Sequence, residues 1–251
     1  LVYEDSPLLL FFYKLLFIPF FSLFMRIAAF FNSKIKKGVV GRQNLLEGIV
    51  KKVAKFDKNK TTVWFHSSSL GEFEQAKPII ENLKMRGNFN IFVTFFSPSG
   101  YENSVKYPHA DAVTYLPLDS WSNAKKFVNI VSPKLAIFMR YDIWPNHVLA
   151  VKSAGIPVFL VDATMRENSA RRSFFLRSFH KMLFGNFDQI LTVSASDLEN
   201  FRCFGLNNDR LLISGDTRFD RVYTRAAIAR EKKLINAEIF AGKKVMVAGS
   251  I

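Results

Sequence analysis

The sequence predicts an α/β fold built on a mostly parallel sheet and preceded by an apolar, membrane-associating helix. Three observations carry this. From about residue 60, short runs rich in β-branched and aromatic residues alternate with amphipathic stretches, which is the pattern of βαβ units. Before them, residues 8–25 (LLLFFYKLLFIPFFSLFM) form an apolar stretch broken by Lys14, Pro19 and Ser22. Hydrophobic residues also make up 49% of the 251, which fills a sizeable core and excludes a disordered chain.

The apolar start holds eight of the 27 phenylalanines within its first 31 residues and is followed by Arg26, Lys34, Lys36 and Lys37. Its length approaches the ~18 apolar residues of a transmembrane candidate, and its basic flank would stay cytoplasmic. Lys14 and Pro19 fit a helix embedded in the interface equally well, and a buried core helix is the third possibility. A signal peptide fits less well, because no small-residue cleavage site follows and the lysines lie on the wrong side. The chain begins at Leu1, so further residues are expected upstream.

Strands are expected at Thr61–His66, Asn90–Phe95, Ala112–Leu116, Leu135–Met139, Pro157–Val161, Gln189–Val193 and Leu211–Ser214. Helices are expected between them at Gly71–Met85, Ser99–Lys106, Trp121–Val131, Trp144–Ser153, Ser169–Phe184 and Ala195–Phe204. Thr224–Lys233 reads as a polar helix leading out of this domain, and Lys243–Ile251 as the strand opening another one. The expected organisation is a membrane-associating segment over 1–37, a Rossmann-like domain over 38–235 and the start of a second domain over 236–251.

Composition narrows the function. One cysteine, Cys203, excludes a disulfide framework and a multi-thiolate metal site. The four histidines have no pair at helical ligand spacing, so no metal site is expected. The formal charge of +14 comes from 35 Lys+Arg against 21 Asp+Glu, and half of the excess lies in residues 1–60. Such a surface suits any anionic partner, but its place beside a Phe-rich segment points to anionic lipid and not to nucleic acid. No P-loop and no G-x-G-x-x-G occurs, which leaves a standard NTPase or NAD enzyme without support.

Four loops after strands carry candidate chemistry. His66-Ser67-Ser68-Ser69-Leu70-Gly71-Glu72 opens a helix with hydroxyls and free N–H groups, a setting for a polar or anionic ligand. Glu72 there reads either as a general base or as the far end of a Ser69-x-x-Glu72 capping box. Ser97-Pro98-Ser99-Gly100 is a second polar turn. In Arg140-Tyr141-Asp142-Ile143-Trp144-Pro145, Arg140 and Asp142 read as a local ion pair before they read as catalysts. Arg166, Arg171, Arg172, Arg177 and Lys181 are interleaved with Phe174, Phe175 and Phe179 and give either a solvated basic face or a lipid-facing surface. Finally, Ser214–Asp220 is expected to hold Arg218 in a loop before the next helix.

In this order, the segments resemble the Kdo transferases, which attach 3-deoxy-D-manno-octulosonic acid (Kdo) from CMP-Kdo to the lipid A precursor. HSSSLGE at 66–72 is similar to the family's H-x-x-S-x-G-E motif, and Thr94 with SPSGYE at 97–102 to its PTGSE loop. YLPLD at 115–119 is nearly as the family writes it, DIWPN at 142–146 resembles E-L-W-P-N, and GDTRFD at 215–220 resembles G-x-x-K-F-D. The resemblance implies a GT-B glycosyltransferase of two Rossmann-like domains, with the acceptor on the N-terminal one represented here and the donor domain largely outside this chain. It implies direct displacement without a metal or cofactor, on the cytoplasmic face of the bacterial inner membrane, with the precursor, CMP-Kdo and the anionic membrane surface as partners.

By the same resemblance Glu72 is the general base, in an ionised form favoured by its helix N-terminus, and Arg218 stands where the family has a lysine. Ser68, Ser69, Gly71, Ser97, Ser99, Gly100, Arg140, Asp142 and Arg166 form the expected acceptor-binding set. One departure is larger: Arg140 stands where many members carry the first acid of E-x-E. Without the donor half, this chain is expected to be inactive alone. A GT-B transferase with another nucleotide sugar and a non-enzymatic domain binding anionic membranes are the alternative functions.

Overall fold

The computed structural model describes residues 7–232 and 237–246. Seven parallel strands form one sheet in the order β3-β2-β1-β4-β5-β6-β7. They are β1 (Thr61–Ser67), β2 (Phe89–Phe95), β3 (Ala112–Tyr115), β4 (Leu135–Met139), β5 (Val158–Ala163), β6 (Gln189–Thr192) and β7 (Leu211–Ile213). All seven lie where the sequence predicts, with ends moved by one or two residues. The chain builds outward from β1 in one direction, then returns to β4 and builds in the other. A crevice therefore opens at the carboxyl ends of β1 and β4, where open α/β sheets bind ligands.

Period-two alternation along each strand sends side chains to two cores. Val63 and Phe65 of β1, with Ile91, Val93 and Phe95 of β2, pack under Phe73, Ala76 and Ile80. Those three residues lie on one stripe of α5 (Leu70–Met85). On the opposite face Trp64 and Phe138 meet Phe127 of α7 (Trp121–Val131), with α4 (Leu45–Val53), α8 (Pro145–Ser153), α9 (Phe174–Phe184) and α10 (Ala195–Arg202) completing the layer. Trp64 lies edge-on to Phe127 at 4.8 Å and to Phe138 at 5.1 Å, geometries that aromatic quadrupoles favour.

The apolar start is helical throughout, as α1 (Pro7–Phe12), a π-helical turn (Tyr13–Phe17) and α2 (Ile18–Phe31). The π turn lies just before Pro19, which has no N–H to give to the preceding turn. Leu8–Phe31 is long and apolar enough to cross a membrane. It nevertheless runs along the domain. Tyr13, Phe17 and Phe21 stack in a ladder with centroids 5.2 and 5.7 Å apart, and Phe21 meets Phe96 and Trp144 at 6.1 Å. Tyr13 donates its hydroxyl to buried Asp119 at 2.7 Å, and the Lys14 ammonium sits over Trp121. The other face is bare, with Phe20, Phe30 and Phe31 71%, 85% and 88% exposed.

The structure departs from the expected elements in several places. Two helices were not expected, α3 (Ser33–Val40) and α4; α3 starts where Asn32 accepts from the N–H groups of Lys34 and Ile35. The helix expected over Ser169–Phe184 is broken into a 3-10 turn, Ala170–Arg172, and α9, because Ser173 adopts an extended backbone between them. The expected polar helix begins seven residues earlier, as α11 (Thr217–Glu231), because Asp216 caps it by accepting from the Arg218 N–H. Arg218 is thus the second residue of a helix and not part of a loop. Residues 243–246 form no strand, and the rest of the strand expected over Lys243–Ile251 lies outside the described residues, as does part of the expected second domain.

Phe127 is fully buried against Trp64, Phe92 and His147. Phe127→Ala is expected to cost about 3–5 kcal/mol, the usual range for emptying an aromatic core site, measured by urea denaturation monitored by tryptophan fluorescence.

Candidate active site

The site grows from the last residues of β1. His66 is buried, and its Nδ1 lies 2.9 Å from Thr94 Oγ1 on β2 while its Nε2 lies 3.2 Å from Asp142 Oδ2 beyond β4. Trp64 Nε1 donates to the same Thr94 hydroxyl at 2.8 Å, and Trp144 Nε1 donates to Asp142 Oδ2 at 3.0 Å. The imidazole thus completes a chain of hydrogen bonds from Trp64 through Thr94 to Asp142. One imidazole thereby ties together the ends of three strands.

Glu72 sits one helical turn into α5. Its Oε2 accepts from the N–H of Ser68 at 2.5 Å and of Ser69 at 3.3 Å, completing the capping box with Ser69. Burial pushes the Glu72 carboxyl up and the neighbouring Asp142 charge pushes it further, against the opposing pull of the Ser68 N–H. The amides of the helix N-terminus favour ionised Glu72, as expected, but desolvation and a like charge outweigh them. Asp142 moves the other way. Burial disfavours its charge, but hydrogen bonds from His66, Ser68 and Trp144 outweigh it and hold the carboxyl below its usual range. Two adjacent carboxyls thus separate, with Asp142 ionising first and Glu72 later.

Ser68 serves both acids, through its N–H to Glu72 and its hydroxyl to Asp142. Ser97 caps α6 (Pro98–Ser104) by accepting from Gly100 N at 3.1 Å and lies 3.2 Å from the Ser99 hydroxyl. Gly100 has no room for a side chain, because a Cβ would run into the Phe95 ring. The expected Arg140–Asp142 ion pair does not form. Arg140 has φ +62, its guanidinium lies over the Tyr141 ring, and Asp142 turns to His66 instead. No hydrogen bond or ion pair among the described residues links the Arg166 side chain or Gly71 to these groups. Three other arginines bind carbonyl oxygens: Arg171 that of Tyr141, Arg172 that of Glu167 and Arg177 that of Cys203. Their basic face is therefore partly structural.

Arg218 is exposed and grips Asp216, whose carboxyl falls to about 2 because the bonds from Arg218 and Gln75 outweigh its desolvation. Beside it, buried Asp162 at the end of β5 rises to about 6, chiefly through burial. Thr217 Oγ1 contacts both Asp162 Oδ2 and the Gln75 carbonyl. Among the described residues no group of three or more His, Cys, Asp or Glu is placed to hold a metal ion.

Sequence reasoning did not single out His66, Thr94 and Trp144, although they stand inside quoted motifs, nor Asp119 and Asp162. The available signal was that each polar residue ends an otherwise apolar strand or opens the loop after one. A pocket of about 220 Å³ leads from Asp142 past Trp144, Arg171 and His180 to Tyr13 and Phe17 of the apolar helix.

A parallel sheet in this order, with two carboxyls at its crossover, is a Rossmann-like domain. The chain belongs to the 3-deoxy-D-manno-octulosonic-acid transferase (Kdotransferase) family, whose model matches residues 45–221. It is 28% identical over 161 residues to the 3-deoxy-D-manno-octulosonic acid transferase of Haemophilus influenzae, covering 63% of this chain and 38% of that protein. To the enzyme of the same name from Aquifex aeolicus it is 30% identical over 161 residues, covering 64% and 41%. The chain thus spans about two-fifths of the length of these relatives. Among solved structures it is similar to UDP-GlcNAc 2-epimerase from Neisseria meningitidis, with a TM-score of 0.54 and 14% identity over 72% of this chain and 54% of that one. That likeness is one of fold.

Because Glu72 titrates higher folded than unfolded, its charge costs stability as the pH rises past 4.5 and through its folded pKa. Glu72→Gln should gain on the parent across that window in denaturation measured at several pH values. In a carboxyl-carbon NMR titration, Asp142→Asn should bring the Glu72 pKa down toward 4.5, since it removes the like charge.

Proposed function

We propose that this chain is the acceptor-facing half of a glycosyltransferase that moves Kdo from CMP-Kdo onto the lipid A precursor at the cytoplasmic face of the inner membrane. The observation that carries this is the buried Glu72 carboxyl, raised in pKa at the sheet's crossover and one pocket away from a helix whose bare face is apolar. A base poised nearer neutral pH than an ordinary carboxylate takes a sugar hydroxyl proton more effectively.

In the proposed step Glu72 Oε1 accepts the hydroxyl proton, while Oε2 stays with the Ser68 and Ser69 amides. The freed oxygen pair bonds to the anomeric carbon of Kdo, and the bond from that carbon to the CMP phosphate oxygen breaks, its electrons leaving with CMP. Asp142, fixed by His66, Ser68 and Trp144, stays ionised and keeps Glu72 basic. Arg218 is the cation assigned to the departing phosphate, which it reaches by loosening its grip on Asp216.

Packing supports the membrane reading. The Tyr13–Phe17–Phe21 ladder binds one side of the apolar helix to the domain and leaves the other for lipid. Phe174 and Phe175, 90% and 81% exposed, extend the apolar surface, and the basic flank suits the anionic cytoplasmic leaflet. Membrane residence would hold the enzyme where a lipid acceptor is concentrated.

The test is transfer from CMP-Kdo to a tetraacylated lipid A precursor by the full-length protein. Glu72→Gln should lower kcat by about 10²–10⁴ with little change in acceptor KM. Unchanged turnover would return Glu72 to a purely capping role. An inactive parent protein would reassign donor or acceptor.

A further inference from the structure

A cavity of about 600 Å³ lies between α2, α3 and the loop after β3, apart from the site above. Its lining combines Arg26, Lys36 and Arg42 with Met25, Ala29 and Phe30. Among the described residues no carboxylate pairs with any of the three cations. Arg42 is the most enclosed, and all its hydrogen bonds go to carbonyl oxygens: Leu116 at 2.9 Å, Gly38 at 2.8 Å and Phe96 at 2.7 Å. Its guanidinium is sandwiched by the rings of Phe96 and Tyr115 at 4.7 and 4.8 Å. Burial lowers its pKa to about 10. A desolvated cation satisfied by dipoles alone leaves a positive field that favours an entering anion.

The lining is built to stay in place. Asn32 ends α2 with an extended backbone and caps α3. Gly38 lets α3 close onto Arg42 and Pro98, each 3.3 Å from where a Cβ would stand. The apolar lining continues into the exposed face of α2 at Ile27, Phe30 and Phe31. A ligand that fits has a compact anion at one end and aliphatic chain at the other.

We propose that this cavity binds one bilayer glycerophospholipid with an anionic headgroup, its phosphate held between Arg26, Lys36 and Arg42 and its acyl chains lying along α2. The site rests on the helix lying at a bilayer and is independent of which sugar the enzyme transfers. Phosphate suits these donors because guanidinium and ammonium groups make charge-assisted bonds to its oxygens. Seating a lipid here fixes the depth and rotation of α2 against the domain.

The experiment is a lipid titration of the full-length protein in detergent, read by native mass spectrometry. Phosphatidylglycerol is the probe, and phosphatidylcholine, the lipid A precursor and inorganic phosphate are the comparisons. One phosphatidylglycerol is expected to be retained in preference to phosphatidylcholine. Arg26→Gln with Lys36→Gln should weaken it at least about tenfold, the loss of two charge-assisted contacts. Lys58→Gln with Lys134→Gln removes equal charge from exposed positions at the amino ends of β1 and β4 and should change binding less than about twofold. Ala29→Trp, which fills the cavity and keeps every charge, should also abolish retention. Equal losses in the two double variants would overturn the proposal in favour of diffuse attraction. So would displacement by millimolar inorganic phosphate, or retention of the lipid A precursor alone.

Discussion

The site depends on one buried imidazole. His66 stands where β1 ends between β2 and β4, and its two nitrogens face Thr94 and Asp142. Around it the walls are aromatic, with Phe138 5.5 Å away, and Thr94 is fully buried, so its hydroxyl has no water to fall back on. An apolar residue there would leave that hydroxyl short of a contact in a dry setting, which costs more than the bond itself is worth, and would take from the half-buried Asp142 carboxylate one of its donors. The consequence reaches Glu72. Its raised pKa owes part of its shift to the Asp142 charge, and that charge is held where it is by His66, Ser68 and Trp144. The order in which the two acids ionise is therefore set by the packing of a third residue that reacts with nothing.

A second buried carboxylate couples this site to the apolar helix. Asp119 accepts from the Asn146 N–H at 3.0 Å and the His147 N–H at 3.0 Å, the first amides of α8, where a negative charge meets the positive end of the helix dipole. It also accepts the Tyr13 hydroxyl. One side chain thus fixes α8, the loop between β4 and α8 that carries Asp142, and the register of the apolar helix on the domain. Phe96 adds a second link, since its ring stacks on Trp144 at 4.6 Å and lies under the Arg42 guanidinium. The apolar helix and the Glu72–Asp142 pair share one frame.

What could be read from the sequence follows from which interactions are local. Strands buried on both faces leave continuous apolar runs, and all seven were legible. Helix ends set by a cap were less so. Asp216 starts α11 and Ser173 starts α9, yet both lie in polar stretches that also read as loop or unbroken helix. Helices α3 and α4 were missed because lysines and glycines dilute their apolar faces. Glu72 was legible as a base or a cap, and the structure makes it a cap with base-like electrostatics. The partner of Asp142 was not legible. His66 is 76 positions away, and only the return of the chain from β3 to β4 brings them together. Spacing instead suggested the neighbour, Arg140, whose left-handed backbone turns it aside.

That backbone bears on the largest departure from the family pattern. Arg140 and Asp162 end adjacent strands, and both are non-glycine residues in the left-handed region, at φ +62 and +53. Each such residue costs roughly 1–3 kcal/mol, held only where the surroundings enforce it. Here β4 and β5 enforce it together, with Arg140 N–H bonded to the Val161 carbonyl at 2.8 Å. The crevice edge already carries Glu72, Asp142, Asp162 and Asp216, and the charge of Arg140 lowers the Asp162 pKa against its burial. An acid at 140 would act in the opposite sense, raising Asp162 further and keeping it protonated near neutral pH. Arginine at this position therefore trades one negative charge in the crevice for a cation that favours the ionised form of its neighbour. It also favours the hold of that neighbour on Thr217, the first residue of the helix carrying Arg218.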